Sequence, residues 1–432
     1  MLRILGSNKR LCDGITRRDL MHIGALAGLG QASTVRADRA AGFGQAKRCI
    51  LLQLWGSPSQ LDTFDPKPDA PAEIRGDLGS IATAIPGTRI GAILPRTAGL
   101  LDKICVLRSL THIYPVHGVS FATTGVPVTD IPLESVPRDP RQWPFVGSVV
   151  DHLAAREGGP LPLVPRNFAM PFPFGSKRGP SRAGPFGGFL GPTADPIWSE
   201  FRAPGTRTFE RDSNTPGIPP RMVADPYAGM AITTSGKLRD ALDVQSEPMA
   251  LRERYGMNLF GQSCLAARRV LEAGGRFVTV FWDEYGQVNS GWDTHVHHNS
   301  RLKDELGPGL DAAFSSLIVD LEARGMLADT AIVVQSEHGR TPRMQNVAGG
   351  GRDHWAGAYS AAFAGGGFAT GRVVGRTDRI GGTVTETAFS PKDVLATLYH
   401  VLGIDPFTEI YDKLGRPLPV GGIGRVRQEL LA

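Results

Sequence analysis

The chain has 432 residues, 41% of them hydrophobic and 21% charged, with a formal charge of +5. That length and composition suit an ordinary globular protein, either one elaborated α/β domain or two domains. Six basic residues (Arg3, Lys9, Arg10, Arg17, Arg18, Arg36) face three acidic ones (Asp13, Asp19, Asp38) in residues 1–38, which leaves +2 for the rest and no basic stripe suited to nucleic acid.

Residues 1–38 read as a targeting segment. Thr16-Arg17-Arg18-Asp19-Leu20-Met21 is a twin-arginine pattern, followed by the mildly apolar run His22 to Ala32 and a small-residue site near Ala37. The run is too short and too weakly apolar for a transmembrane helix, so the expected mature chain has no membrane span and is exported to the periplasm or cell surface. Residues 39–432 are then read as a single domain. Beyond Cys12 of the leader, Cys49, Cys105 and Cys264 are widely spaced in apolar surroundings, which fits buried thiols and neither a disulfide framework nor a zinc ribbon.

The first strand is expected at Arg48 to Trp55, apolar on both faces as in the middle of a parallel sheet covered by helices. Asp62 and Asp65 follow it in a Pro/Ser-rich turn, as hard oxygen ligands or as turn caps. Ile104 to Leu107 reads as a second strand. His117-Gly118 then precedes one or two helical turns closed by Gly125, where His117, Ser120 or Thr111 could supply a nucleophile or a proton. The stretch Pro160 to Pro220 is rich in Pro and Gly and lacks periodicity, so it is expected to be an insertion containing no regular core element.

Helical spacing resumes at Tyr255 to Ala273 and at Leu302 to Arg324, with an apolar strand, Phe277 to Trp282, between them. Gly291 to Asn299 holds three of the ten histidines together with Asp293. Extended chain pairs Asp293 with His295, whereas a helix pairs it with His297, and either gives metal-ligand spacing. After the apolar strand Ala331 to Val334 come Ser336, Glu337, His338 and Gly339, at the end of a strand where α/β sheets bind ligands. Asp353 and His354 follow, with Arg340 and Arg352 as possible anion clamps, and Tyr359 to Phe363 repeats the apolar strand character. Strands alternating with helices predict a doubly wound α/β sandwich. The Gly349 and Gly365 triplets lack the strand, helix and lysine context of a phosphate loop.

The segments GMLADTAIVVQSEHG (residues 325–339) and SPKDVLATL (390–398) resemble the alkaline phosphatase and sulfatase superfamily. More narrowly, GSPSQLDTFDPKPDAP, HGVSFATTG, GWDTH, EHGRTP, GRDHW and SPKDVLATLYHVLGID resemble the exported domain of unknown function 1501 family over nearly the whole chain after the leader. The resemblance implies an alkaline-phosphatase-like α/β/α sandwich with a mostly parallel central sheet and long loop insertions. It places Glu337 and His338 at a metal-binding Asp and His, Asp293 with His295 or His297 at a first metal site, His354 at a later metal-binding His, and Asp62 at the Asp after the first strand. Thr124-Gly125 fits the end of the sulfatase nucleophile motif, but the positions upstream read Tyr-Pro-Val-His-Gly-Val-Ser, with no cysteine among them.

The expected function is therefore hydrolysis of phosphate or sulfate esters, on small molecules or polysaccharides, with a non-catalytic binding or assembly role on the same fold as the second reading. Candidate metal ligands are Asp62, Asp293, His295, His297, Glu337, His338, Asp353 and His354, for zinc, manganese or calcium. Candidate catalytic residues are His117, Ser120 and Arg340.

Overall fold

The strands at Arg48–Leu54 (β1), Ile104–Leu110 (β2), Asn167–Met170 (β3), Ile197–Trp198 (β4), Phe277–Trp282 (β5), Thr330–Gln335 (β6), Tyr359–Ala364 (β7) and Arg372–Val374 (β8) join in one sheet. Its spatial order is β8-β2-β7-β6-β1-β5-β3-β4. The computed structural model describes residues 41–114, 119–126, 136, 138–158, 162–174, 184–199, 236–284 and 291–432. The expected leader and His117 lie outside the described residues.

Every neighbouring pair runs parallel except those made by β7, which is antiparallel to both β6 and β2. The apolar run at β7 reads like those of its parallel neighbours because it too is covered on both faces, so composition does not carry strand direction. Antiparallel entry has a positional consequence. It sets the first residue of this strand, Tyr359, at the edge where the parallel strands end.

Side chains alternate across a strand, and here the alternation splits the core in two. Ile50, Leu52 and Leu54 of β1 join Ile332 and Val334 of β6 beneath the helices Leu259–Glu272 (α3) and Gly307–Ala323 (α4). Cys49 and Leu51 join Ala331 and Val333 on the opposite face, beneath Val146–Arg156 (α2) and Pro391–Val401 (α5). The result is an α/β/α sandwich with a mostly parallel sheet. Leu51, Leu52 and Ile332 are fully buried, and each such side chain contributes about 1.5–3 kcal/mol.

Three sequence expectations are corrected. The Pro/Gly-rich stretch supplies β3 and β4, which extend the sheet beyond β5. These strands are only four and two residues long, too short to show a period within a window crowded by Pro and Gly. The helix expected from Tyr255 begins at Leu259, because Gly256 has a left-handed φ of 96° and Asn258 caps the new helix by accepting from the Gly261 amide. The helix expected from Leu302 opens with a π-helical turn, Leu302–Leu306. No helix among the described residues is long and apolar enough to cross a membrane.

Strand register positions the site. Leu54 of β1 lies level with Trp282 of β5, and Gln53 with Gln335 of β6. The segments that begin at Trp55, Asp283 and Ser336 therefore leave the sheet side by side at its carboxyl edge.

Candidate metal centre

Gly56, just beyond β1, determines how the loop carrying Asp293 packs. Its φ is 95°, and a Cβ there would lie 2.2 Å from the Asp293 amide nitrogen, so only glycine allows this approach. The Trp292 amide donates to the Trp55 carbonyl (3.1 Å), and the fully buried Trp292 ring packs edge-on to Trp282. Arg301 Nη1 donates to the Asp293 carbonyl at 3.0 Å. The backbone before and at Asp293 is thereby held from both sides.

The second part of the site comes from the chain beyond β6. Gly339–Arg340 pairs antiparallel with His354–Trp355, and this ribbon carries His354 back over the sheet edge. Gly351 touches the other loop so closely that a Cβ would sit 1.9 Å from the His295 carbonyl oxygen. The Arg352 amide donates to the Thr294 carbonyl at 3.2 Å. Two loops distant in sequence thus meet through glycine and main-chain contacts.

Among the described residues, the group of three ligand atoms close enough to share an ion is made by Asp293, His295 and His354. Asp293 Oδ1 lies 2.9 Å from His295 Nε2 and 3.4 Å from His354 Nε2, and the two Nε2 atoms are 3.0 Å apart. Ligands about 2.0–2.2 Å from an ion are separated by about 3.3 Å in a tetrahedron and about 3 Å in an octahedron, so the triangle matches one face of either. The side chains are 24%, 40% and 25% exposed, in that order, which leaves solvent access on one side. One carboxylate and two imidazoles with an open side form a donor set of the type that holds a catalytic divalent ion. The residues present fit such a group.

The other candidates take different places. Asp62 is 1% exposed and its Oδ2 accepts from Arg352 Nε and His298 Nε2, each at 3.0 Å, while Thr294 Oγ1 lies 2.7 Å from His298 Nδ1. Burial pushes the Asp62 carboxyl up, but the charges of Arg352 and His298 and the hydrogen bonds of His298 and Ser59 outweigh it and hold it well below the usual carboxylate range. Asp62 ties the two ligand-bearing loops together from beneath. His297 is exposed, with a left-handed φ of 53°, so the extended pairing of Asp293 with His295 is the one adopted.

Glu337 is buried and its Oε1 accepts from the Gly56 amide at 2.8 Å. His338 Nδ1 donates to the Gly339 carbonyl at 2.8 Å, and its ring packs 4.7 Å from that of His354, restricting how His354 can turn. Asp353 stands behind His295, with Oδ1 2.7 Å from Nδ1.

Arg340 is fully buried. Its Nη2 donates to Asp293 Oδ1 at 2.6 Å and also to the Gly56 carbonyl, Nε donates to the Ser57 carbonyl at 3.0 Å, and Nη1 to the Arg352 carbonyl at 3.1 Å. Burial lowers the guanidinium from its usual value and Asp293 opposes that. Arg352 binds Asp62 and the carbonyls of Thr341, Pro342 and Ile74. The two arginines expected as anion clamps are instead directed at the protein. Ser120 lies on the short helix Val119–Thr124 (α1), fully buried, its Oγ without a hydrogen-bond partner among the described residues.

Sequence reasoning did not single out His298 or Gln345. His298 stood in the histidine-rich segment, but its partner Asp62 is 236 positions away. Gln345 carried no signal at all.

One family model matches residues 46–214 and 220–431. No curated protein matches in sequence. Similar solved structures include the PsFucS1 sulfatase from Pseudoalteromonas sp., at 12% identity over 90% of this chain and 72% of that one, with a TM-score of 0.42. A protein in the alkaline phosphatase superfamily from Vibrio parahaemolyticus has 12% identity over 91% and 72%, with a TM-score of 0.43. Alkaline phosphatase from the Antarctic bacterium TAB5 has 14% identity over 75% and 92%, with a TM-score of 0.39.

Proposed function

The chain belongs to the family described as Protein of unknown function (DUF1501), and on that premise we propose from its own residues that it is an exported, metal-dependent hydrolase of phosphate or sulfate esters. The observation that carries this is the triangle of Asp293 Oδ1, His295 Nε2 and His354 Nε2, with sides of 2.9, 3.4 and 3.0 Å, open to solvent at the carboxyl edge of the sheet. Asp293, His295 and His354 would hold one divalent cation. Two imidazoles favour zinc over manganese or calcium, which prefer oxygen ligands. When bound, such an ion polarises an ester oxygen and makes water a nucleophile near neutral pH.

The residues around the triangle hold it in place. Arg340 pins Asp293 Oδ1, and His338 packs on His354. The twin-arginine pattern at Arg17 and Arg18 supports export of an already folded, loaded protein.

The test is metal analysis of purified protein together with a screen of aryl phosphates, phosphodiesters and aryl sulfates under zinc and manganese. The expected result is one metal per chain, with turnover lost in Asp293→Ala and His354→Ala. Absence of stoichiometric metal from the wild type would sink the proposal. A binding or assembly role on the same fold is favoured by one observation: Ser120 and Arg340 are both fully buried, so neither of these candidate catalytic groups faces solvent. Stoichiometric metal without turnover on any of these esters supports that second role.

A further inference from the structure

Resting on the metal-centre reading, we infer that Asp353, backed by Gln345, is a positioning residue that fixes the ring nitrogen His295 offers to the cation. A neutral imidazole has one N–H and one lone pair. A carboxylate can only accept, so once a cation takes Nε2 in place of its contact with Asp293 Oδ1, the one remaining ring proton is held on Nδ1 by Asp353 Oδ1, 2.7 Å away. That leaves the lone pair on Nε2, the atom that lies 2.9 Å from Asp293 Oδ1 and 3.0 Å from His354 Nε2. In the other tautomer, Nε2–H would point into the space an ion must fill.

Asp353 is itself oriented. Its Oδ2 accepts from Gln345 Nε2, and its amide donates to Thr341 Oγ1 at 3.0 Å. Gln345 is held in turn by its amide, which donates to the Gly351 carbonyl at 2.8 Å. Asp353 is the residue just before His354, so the segment that supplies one ligand also sets the tautomer of another. A histidine ligand whose far nitrogen donates to a carboxylate is more basic and fixed in ring orientation, and loss of such a partner costs 10- to 100-fold in metal affinity. Asp353 therefore acts through His295 and is not itself a ligand of the triangle.

Cobalt(II) is the probe, because a histidine bound through Nε2 gives a strongly shifted, solvent-exchangeable Nδ1–H proton signal. Wild type, Asp353→Ala, Asp353→Asn and Gln345→Ala full-length proteins are titrated with cobalt by calorimetry, their thermal unfolding is recorded, and that proton signal is followed in water. The expected outcome is a fall in cobalt affinity of roughly 10- to 100-fold in Asp353→Ala, with faster solvent exchange of the His295 Nδ1–H. Asp353→Asn, whose amide oxygen accepts the same proton but whose amide nitrogen cannot accept from Gln345, restores part of the affinity, as Gln345→Ala retains part of it. Because the Asp353 side chain is 47% exposed, the melting temperature of the cobalt-free variants stays near that of wild type. Cobalt bound by Asp353→Ala as tightly as by wild type, with an unchanged Nδ1–H signal, overturns this inference alone. Wild type that binds no cobalt overturns the metal centre and this inference with it.

Discussion

Replacing Asp62 with alanine removes the carboxylate shared by Arg352 and His298. Arg352 has a side-chain exposure of 0% and Asp62 of 1%, so no water is at hand to replace the lost charge. Breaking a buried ion pair by deleting one partner costs about 3–5 kcal/mol, because the other charge stays buried without compensation. The guanidinium keeps the carbonyls of Thr341, Pro342 and Ile74, which places the expected loss near the lower end, about 3 kcal/mol. For a domain whose whole stability is about 5–15 kcal/mol, that is a large fraction.

Urea unfolding at pH 7 measures this loss as a lower midpoint with an unchanged slope. The folded Asp62 carboxyl lies below its unfolded value, so its contribution is complete above the unfolded carboxylate pKa of about 3.9 and is lost as pH falls through the depressed folded value. The gap between wild type and variant should therefore persist down to about pH 4 and close only in stronger acid. Were Asp62 a metal ligand instead, its removal would lower metal content while leaving the metal-free protein about as stable. A stability change below about 1 kcal/mol in metal-free protein refutes the ion-pair account.

Gly56→Ala should destabilise by at least about 1–3 kcal/mol and displace Asp293, since its Cβ would lie 2.2 Å from that residue's amide; urea unfolding and cobalt titration check both, and a variant normal in each contradicts the packing described. His112 Nε2 donates to the Glu337 carbonyl at 2.8 Å while Nδ1 accepts from the Tyr114 amide at 3.0 Å, and burial lowers its pKa. Folding thus favours the neutral ring, so stability present above about pH 6.5 should decline as pH falls below it; His112→Gln should reduce that slope in pH-dependent melting, and an unaltered slope would count against it. Burial pushes the Cys105 thiol up to about 12 and raises Cys49 and Cys264 as well. None of the three should react with an alkylating reagent in native protein at pH 8, as peptide mapping would report, and native labelling at any of them would contradict their burial.

The long apolar strands were legible because a strand covered on both faces must be apolar throughout, as Phe277–Trp282 and Thr330–Gln335 are. The place of the candidate site was legible for a related reason. Covalent continuity puts Gly56 and Glu337 just past the ends of β1 and β6, whatever the rest of the chain does. The pairing of those ends was not legible, since Asp62 with Arg352 and His295 with Asp353 are joined only through space, 290 and 58 positions apart.

Direction and depth were likewise left to the tertiary structure. Apolar composition alone could not set β7 antiparallel, nor reveal Asn167–Met170 as a strand within a Pro/Gly-rich stretch. The same carboxylate chemistry suits a metal ligand, an ion-pair partner or an imidazole acceptor, and sequence left Asp62, Asp293 and Asp353 all as candidates for the first role, with Asp62 also read as a turn cap. Packing divided the three roles among them. Asp62 lies under the loops against a buried arginine, Asp293 at the solvent-facing triangle, and Asp353 behind an imidazole, because the close approaches at Gly56 and Gly351 fix how the two loops meet.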